Sequence, residues 1–249
     1  MKATADKSLQ STLNWALERM RGKGFIINSH VSLSIDPKLA IMGYAKKEGE
    51  AHKIVISDWA LDSEMLGGLV LHELAHIYFT ERGAHSHDSM ALEKILETRK
   101  EQDGLRAKEV ENLVDAYNHL QNIIVDDIVF AVMQAKELEV AKRFFSEWVS
   151  DRPSGDPVAD AALLSRNAFA VASLKRRNLF EKDSEMYYRN QALLSALGPV
   201  SEQEFEWMEG LLEGAKVEWD REKFREELED YFDRIISLMR ASSKLVDLR

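Results

Sequence analysis

The sequence contains no cysteine, and this absence excludes several classes of site. Disulfides, iron–sulfur clusters, zinc sites built on thiolates and cysteine nucleophiles all require cysteine. Any zinc site in this chain must therefore be built from His, Asp and Glu side chains and water. The same absence fits a reducing compartment, so we expect a cytoplasmic protein.

The chain also lacks a basic face and a long apolar run. Its formal net charge is −10 and its sequence pI is about 5.3. Such broad acidity argues against nucleic-acid binding, which needs concentrated Lys and Arg. No run of about 18 uncharged apolar residues is present, so we expect neither a transmembrane helix nor a membrane partner. The N-terminal residues lead into an amphipathic pattern instead of a secretory signal, which is typical of a soluble intracellular protein.

The first quarter of the sequence is predicted to form one helix and about three strands. Apolar side chains recur at helical spacing in residues 8–21, and apolar and polar residues alternate in 31–35, as in a strand. Two further strands are predicted at 40–45 and 52–57. The charged turn between them contains a glycine, which indicates a hairpin.

Everything after the sheet is predicted to be helical. A helix capped by Asp62 or Ser63 runs to about Arg82, where Gly83 stops it. Further helices are predicted at about 88–101, 105–149 (with or without a break), 157–180, 184–196 and 218–245. One more helix is predicted to begin at the capping pattern at 201.

These elements predict an α+β fold that is mainly α. An N-terminal helix and a small three-stranded sheet, mixed or antiparallel, come first, and the helix that ends near Arg82 and a helical C-terminal half follow. The Pro- and Gly-containing segment 151–157 is the clearest linker. We therefore predict one domain at 1–150 and a helical extension at 151–249, with one continuous domain as the alternative.

The segment His72-Glu73-Leu74-Ala75-His76 carries the strongest functional signal. The spacing of the two histidines puts both imidazoles on one face of a helix, where their nitrogens can bind one metal ion. Glu73 projects about 100° round the helix from His72. A carboxylate there can take a proton from metal-bound water and return it to a leaving amine. The segment therefore predicts a divalent metal site, with zinc (Zn2+) as the metal and Glu73 as the general base.

The residues around this segment are apolar, which favours a functional interpretation. Leu69-Val70-Leu71 precede the first histidine and Ile77-Tyr78-Phe79 follow the second, so the helix is predicted to be buried. Burying three polar side chains costs free energy unless they have partners, and a metal ion is one such partner. A helix with two hydrogen-bonded core histidines is the simpler alternative.

The segment and its apolar flanks resemble the active-site helix of the zincin metallopeptidases. The resemblance covers roughly the first half of the chain and extends to the order of elements, since zincins place an N-terminal helix and a small sheet before the active-site helix. It implies that residues 1–150 are a zincin-like catalytic, metal-binding domain, that His72 and His76 are zinc ligands and that Glu73 is the general base. It also implies that an edge strand before the helix holds extended substrate by backbone pairing, and the hairpin strands are the candidates. Phe79 and Arg82 stand where the metzincin subgroup has Gly and a third His. A third ligand on a later helix, as in gluzincin-like enzymes, is therefore the alternative.

A polar stripe on a later helix contains the predicted third ligand. Asp115, His119, Asn122 and Asp126 recur at helical spacing among apolar residues. Asn122 followed four residues on by Asp126 resembles a second motif of some HExxH proteins, although Val125 stands where several of them have Glu. A catalytic zinc usually has three protein ligands and a water, so we predict Asp126 as the third ligand.

The sequence leaves other candidates for the third metal ligand. Asp127 and His119 are two alternatives. Glu111 is another, because Glu111 and Asp115 have the spacing of the gluzincin ligand and its supporting carboxylate. Asp115 or Asn122 could instead accept the second ring N–H of a ligating histidine.

The predicted function is a zinc-dependent metallopeptidase that acts on a peptide or protein substrate. A zincin-like scaffold, in which metal stabilises the fold and the C-terminal helices bind a partner, is the alternative, and Glu73 argues against it because structural zinc needs no such base. A helical metal protein with non-hydrolytic chemistry is a third reading, which would need more carboxylate ligands. His85 and His87 are expected in an exposed polar loop, with help to a second metal or an oxyanion as the alternative.

Overall fold

The structure is a computed structural model that describes residues 2–241, with side chains described for residues 9–240. In that range the chain forms nine α-helices and one three-stranded sheet. The strands are β1 (Val31–Ile35), β2 (Gly43–Glu48) and β3 (Ala51–Ile56). The helices are α1 (Lys2–Gly22), α2 (Leu66–Glu81), α3 (Ser89–Asp103), α4 (Ala107–Val132), α5 (Ala135–Trp148), α6 (Pro157–Lys175), α7 (Glu185–Leu197), α8 (Pro199–Gly214) and α9 (Arg221–Ala241). The predicted α+β, mainly α class is confirmed.

The sheet is mixed, with strand order β1-β3-β2. β3 lies in the middle, parallel to β1 and antiparallel to β2, so β2 is an edge strand. The hairpin is confirmed, but β2 begins at Gly43 instead of residue 40 and extends to Glu48. The charged residues before Gly49 had been assigned to the turn. They belong to the strand because charged side chains on an edge strand stay in water while the backbone pairs.

The helix α2 begins later than the sequence suggests. Met65 occupies the N-cap position without a side-chain hydrogen bond, and Ser63 Oγ accepts from the amide of Met65 instead of capping the helix. The predicted end is confirmed, since Gly83 follows the helix with a φ of 62° that glycine adopts without strain. The amide of Ala84 then donates to Phe79 O, which turns the chain back along the helix.

Two compact units can be distinguished within the chain. The first comprises the residues up to His87 together with Val125–Ala141, and the second comprises Asp88–Ile124 and the residues from Lys142 onward. The predicted domain division at residue 150 stays a prediction.

The first unit is built around α2, which packs on α1, β2 and β3. Val70, Leu71, Leu74 and Ile77 of α2 are at most 1% exposed, so this helix is buried on several sides as predicted. Burying each such aliphatic side chain stabilises the fold by roughly 1.5–3 kcal/mol. Exposing this apolar face to water would cost free energy, so α2 is held in its position. The polar residues that lie between those side chains are held with it.

The second unit is centred on α6, which contacts α8 and α9. Asp156 caps α6 by accepting from the amides of Val158 and Ala159, and Pro157 takes the first helical position. Phe169 of α6 and Tyr231 of α9 are at most 2% exposed.

Three helical predictions need correction or restriction. The segment predicted to be helical at 105–149, with or without a break, has the break, because α4 ends at Val132 and α5 begins at Ala135. α8 begins at Pro199 with Gly198 as its cap, so the capping pattern at 201 lies inside the helix. The last part of the helix predicted at 218–245 lies outside the described residues. None of the helices in residues 2–241 is both long enough and apolar enough to span a membrane.

Candidate metal centre

The first contact of the candidate site joins α2 to the C-terminal part of α4. His72 Nδ1 lies 2.8 Å from Asp126 Oδ1, and the Asp126 side chain is only 7% exposed. A carboxylate can only accept a hydrogen bond, so the ring proton of His72 is on Nδ1. In the neutral ring Nε2 is then unprotonated and able to bind a metal ion. The predicted ligand Asp126 is therefore next to the predicted ligand His72, on the ring nitrogen that does not face His76.

The second contact joins the two histidines of α2. His72 Nε2 and His76 Nε2 lie 3.1 Å apart, and their rings meet edge to face with centroids 4.7 Å apart. Two nitrogens bound to one zinc ion at about 2.0–2.1 Å with tetrahedral angles are about 3.3 Å apart. The observed separation fits such a pair of ligands. It also fits a direct hydrogen bond between one protonated and one unprotonated Nε2.

The third contact extends the site to the segment after α2. His76 Nδ1 lies 3.0 Å from His87 Nε2, and His87 Nδ1 lies 3.0 Å from Ser86 Oγ. Burial, with a smaller contribution from His72, lowers the pKa of His87 to about 4. His87 is therefore neutral at neutral pH, and each of its ring nitrogens can donate or accept according to its tautomer. The expectation of an exposed polar loop is wrong for His87, although His85 is exposed.

Glu73 is buried between these histidines and the edge strand. Its side chain is 5% exposed, and the backbone N–H of Ala45 in β2 donates to its carboxylate. Burial raises the pKa of Glu73, while His72 in its protonated form and the Ala45 amide oppose this rise. A carboxyl group whose pKa lies closer to neutrality is better matched to accept a proton and return it.

The predicted three-ligand set is only partly assembled. Within residues 2–241, no group of three or more His, Asp or Glu side chains is arranged so that it could hold one metal ion. His72 and His76 are brought together, and Asp126 contacts the other nitrogen of His72. Asp127, the first alternative, is half-buried. The ligand role of Asp126 stays a prediction.

The remaining members of the polar stripe belong to the second unit. His119 Nδ1 lies 2.9 Å from Ser165 Oγ, and its ring stacks on Phe169 with centroids 4.9 Å apart. Burial lowers the pKa of His119 to about 3. Glu111 and Asp115 are exposed. The members of the stripe therefore have different surroundings. Asp126 contacts His72, whereas His119 is a hydrogen-bonded core residue of the second unit.

Comparison with known proteins gives a family. The model of DUF5781, a family of unknown function, matches residues 25–231. This chain belongs to the DUF5781 family. No curated protein and no solved structure matches it. The matched range includes all the side chains of the candidate metal centre, and the resemblance of α2 to a zincin helix stays a prediction.

In this DUF5781 chain, sequence reasoning missed two contacts of the candidate site. His87 was assigned to a loop because it lies between Gly83 and the start of α3, yet the turn at Gly83 returns the chain toward His76. The glycine stop and the short distance to the next helix cap were the available signals. The Ala45 amide was missed because its residue type carries no signal, since alternate residues of an edge strand present a free N–H whatever their side chains are.

Proposed function

We propose that this protein is a zinc-dependent hydrolase, and specifically a metallopeptidase. The observation that carries the proposal is the 3.1 Å separation of His72 Nε2 and His76 Nε2 beside the buried carboxyl group of Glu73. Two imidazoles and a base on one helical turn are the minimum that metal-assisted hydrolysis requires of such a helix.

The chemistry of the donors fits zinc. His72 donates from Nδ1 to a carboxylate, which favours the neutral tautomer whose Nε2 can bind a metal. Such carboxylate–histidine pairs orient metal-binding imidazoles and raise their basicity. The chain has no cysteine, so imidazole and carboxylate are the strong zinc donors available to it. A bound zinc ion would polarise the substrate carbonyl and activate a water.

Glu73 is proposed to hold and move the proton in this reaction. Its burial favours the neutral carboxyl group, and its hydrogen bond from the Ala45 amide favours the carboxylate. These opposing effects suit a group that must accept a proton in one step and return it to the leaving amine in the next.

The edge strand supports a peptide as substrate. In the described residues β2 pairs with β3, and its Ala45 amide reaches Glu73. An extended peptide that added to this edge would lie alongside the proposed base, with main-chain hydrogen bonds supplying affinity. Peptide or protein substrates and a cytoplasmic location are part of the proposal, the latter from composition alone.

Asp126 has two possible roles within this proposal. The sequence predicts a zinc ligand, whereas the contact with His72 Nδ1 favours a carboxylate that orients the ligand. The non-catalytic scaffold stays a second candidate, because no third donor converges with His72 and His76 in residues 2–241. A structural zinc site would also use these two histidines, but it would give Glu73 no role.

Cleavage of an unstructured protein tests the proposal. Untagged protein loaded with one equivalent of zinc is expected to cleave casein or a mixed peptide library, with new termini identified by mass spectrometry. A chelator should stop cleavage, and added zinc should restore it. A protein that binds zinc tightly but cleaves none of these substrates would support the scaffold instead.

A further inference from the structure

Five side chains of the first unit form one continuous chain of contacts. It runs from Ser86 to His87 (3.0 Å), to His76 (3.0 Å), to His72 (3.1 Å) and to Asp126 (2.8 Å). Three adjacent links join ring nitrogens to each other or to a hydroxyl group. Because a neutral imidazole has one donor and one acceptor nitrogen, the direction of one link dictates the direction of the next.

Asp126 fixes one end of this chain. Its carboxylate accepts from His72 Nδ1, so His72 Nε2 has no proton in the neutral ring. In the metal-free protein, His72 Nε2 then accepts from His76 Nε2–H across 3.1 Å. This donation leaves His76 Nδ1 unprotonated, so it accepts from His87 Nε2–H, and His87 Nδ1 in turn accepts from the Ser86 hydroxyl group.

Metal binding requires the opposite arrangement at His76. Its Nε2 must give up its proton to present a lone pair, and the ring stays neutral only if the proton is on Nδ1. His76 Nδ1–H then donates to His87 Nε2, so the proton of His87 moves to its own Nδ1 and donates to Ser86 Oγ. Each ring has one proton before and after, so the chain releases none to solvent. His72 keeps the same tautomer throughout.

We propose that His87 and Ser86 are positioning residues for His76, and that metal binding switches the tautomers of both His76 and His87 together. This inference rests on the proposed metal site at His72 and His76. It assigns to His87 the orienting role for His76 that the contact with His72 Nδ1 favours for Asp126, with one difference. Asp126 can only accept, whereas His87 can reverse its direction and so serves both the metal-free and the metal-bound protein.

Nitrogen-15 NMR of the histidines tests the switch directly. In selectively labelled protein, the ring-nitrogen shifts distinguish Nδ1–H from Nε2–H tautomers, and single-histidine variants assign the signals. Addition of one equivalent of Zn2+ is expected to change His76 and His87 from Nε2–H to Nδ1–H and to leave His72 as Nδ1–H. An unchanged tautomer at His87 on zinc binding would overturn the inference.

A pair of His87 variants tests the positioning role without relying on activity. The His87 ring stacks on Phe79, with centroids 5.4 Å apart. His87→Phe keeps a ring that can stack in this way but removes both nitrogens, and we expect its zinc affinity to fall by about 10–100-fold. His87→Gln supplies an amide that can accept or donate, and it should recover most of that loss. If His87→Phe binds zinc as tightly as wild type, the inference is wrong but the metal site stands. If wild-type protein binds no zinc, the proposed function fails with it.

Discussion

His72 Nδ1 and Asp126 Oδ1 lie 2.8 Å apart, although 54 residues separate them in the chain. The contact buries a carboxylate against a polar residue of a largely apolar helix, and it fixes which ring nitrogen of His72 has the proton. The free energy needed to bury these groups unpaired would be several kcal/mol. This relationship therefore connects one contact between α2 and the C-terminal part of α4 to the chemistry that the candidate site can perform.

The role of Asp126 can be measured by substitution. If Asp126 orients His72, Asp126→Asn keeps an acceptor oxygen and should lower zinc affinity less than Asp126→Ala, which we expect to lower it by about 10–100-fold. Competition with a chromophoric chelator gives these affinities. Asp127→Asn serves as the control for a charge lost from the neighbouring position. Equal losses well above about 100-fold in both Asp126 variants would instead indicate a direct ligand.

Glu73→Gln should separate metal binding from catalysis. Gln has nearly the same shape but cannot accept and return a proton, so we expect peptide cleavage to slow by about 10²–10⁴-fold. Zinc affinity should stay within about threefold of wild type, because in this account Glu73 is not a ligand. Parallel zinc titrations and cleavage assays on the same preparations provide the measurement. Loss of zinc from the variant would contradict the assignment of Glu73 as the base.

The buried His119 should make stability fall in acid. Its folded pKa of about 3 lies below the ordinary value of 6.5, so the unfolded chain binds the proton more readily. The free energy of unfolding should therefore fall as the pH drops from about 6 toward 4.5, with His119 contributing about 1.4 kcal/mol per pH unit. Urea titrations of His119→Gln should show a shallower slope than wild type, with His30→Gln as the exposed control. Identical slopes for all three proteins would show that His119 is not buried in its neutral form.

Two glycines should respond in opposite directions to alanine. A Cβ on Gly43 would lie 3.1 Å from Val55 O and 3.2 Å from Ile56 Cγ2, whereas one on Gly210 would meet no atom within 4 Å. We expect Gly43→Ala to destabilise the protein by about 1–3 kcal/mol through overpacking. Gly210→Ala, inside α8, should stabilise it by about 0.5–1 kcal/mol. Urea denaturation checks both, and a stabilised Gly43→Ala variant would show that Val55 and Ile56 of β3 leave more room at Gly43 than these distances indicate.

Local patterns were sufficient to predict most of the fold. Apolar spacing indicated α2 as a buried helix, and Gly83 indicated its end, because both depend on residues within a few positions. The predicted start of α2 and the predicted bounds of β2 were wrong. They depend on tertiary contacts: the edge strand accepts three charged residues because its side chains reach water, which hydropathy alone does not reveal.

The candidate site was predictable only where it lies on a single helix. His72, Glu73 and His76 follow from spacing, and Asp126 from a polar stripe on another helix. The stripe could not show that His119 contacts Ser165 whereas Asp126 contacts His72. Helical periodicity predicts which residues share a face of a helix, but it does not predict which residue each of them contacts. His87 was missed for the same reason, because its contact with His76 arises from the turn after α2.

Zinc content tests the central claim most directly. Untagged wild-type protein, its His72→Ala and His76→Ala variants, and the exposed control His30→Ala would be dialysed against equimolar zinc and analysed by elemental mass spectrometry. We predict one zinc per chain in wild type and in His30→Ala, and near-complete loss in both α2 variants, with folding verified by circular dichroism. Zinc that stays unchanged in folded His72→Ala and His76→Ala, or its absence from wild type, would contradict the metal centre.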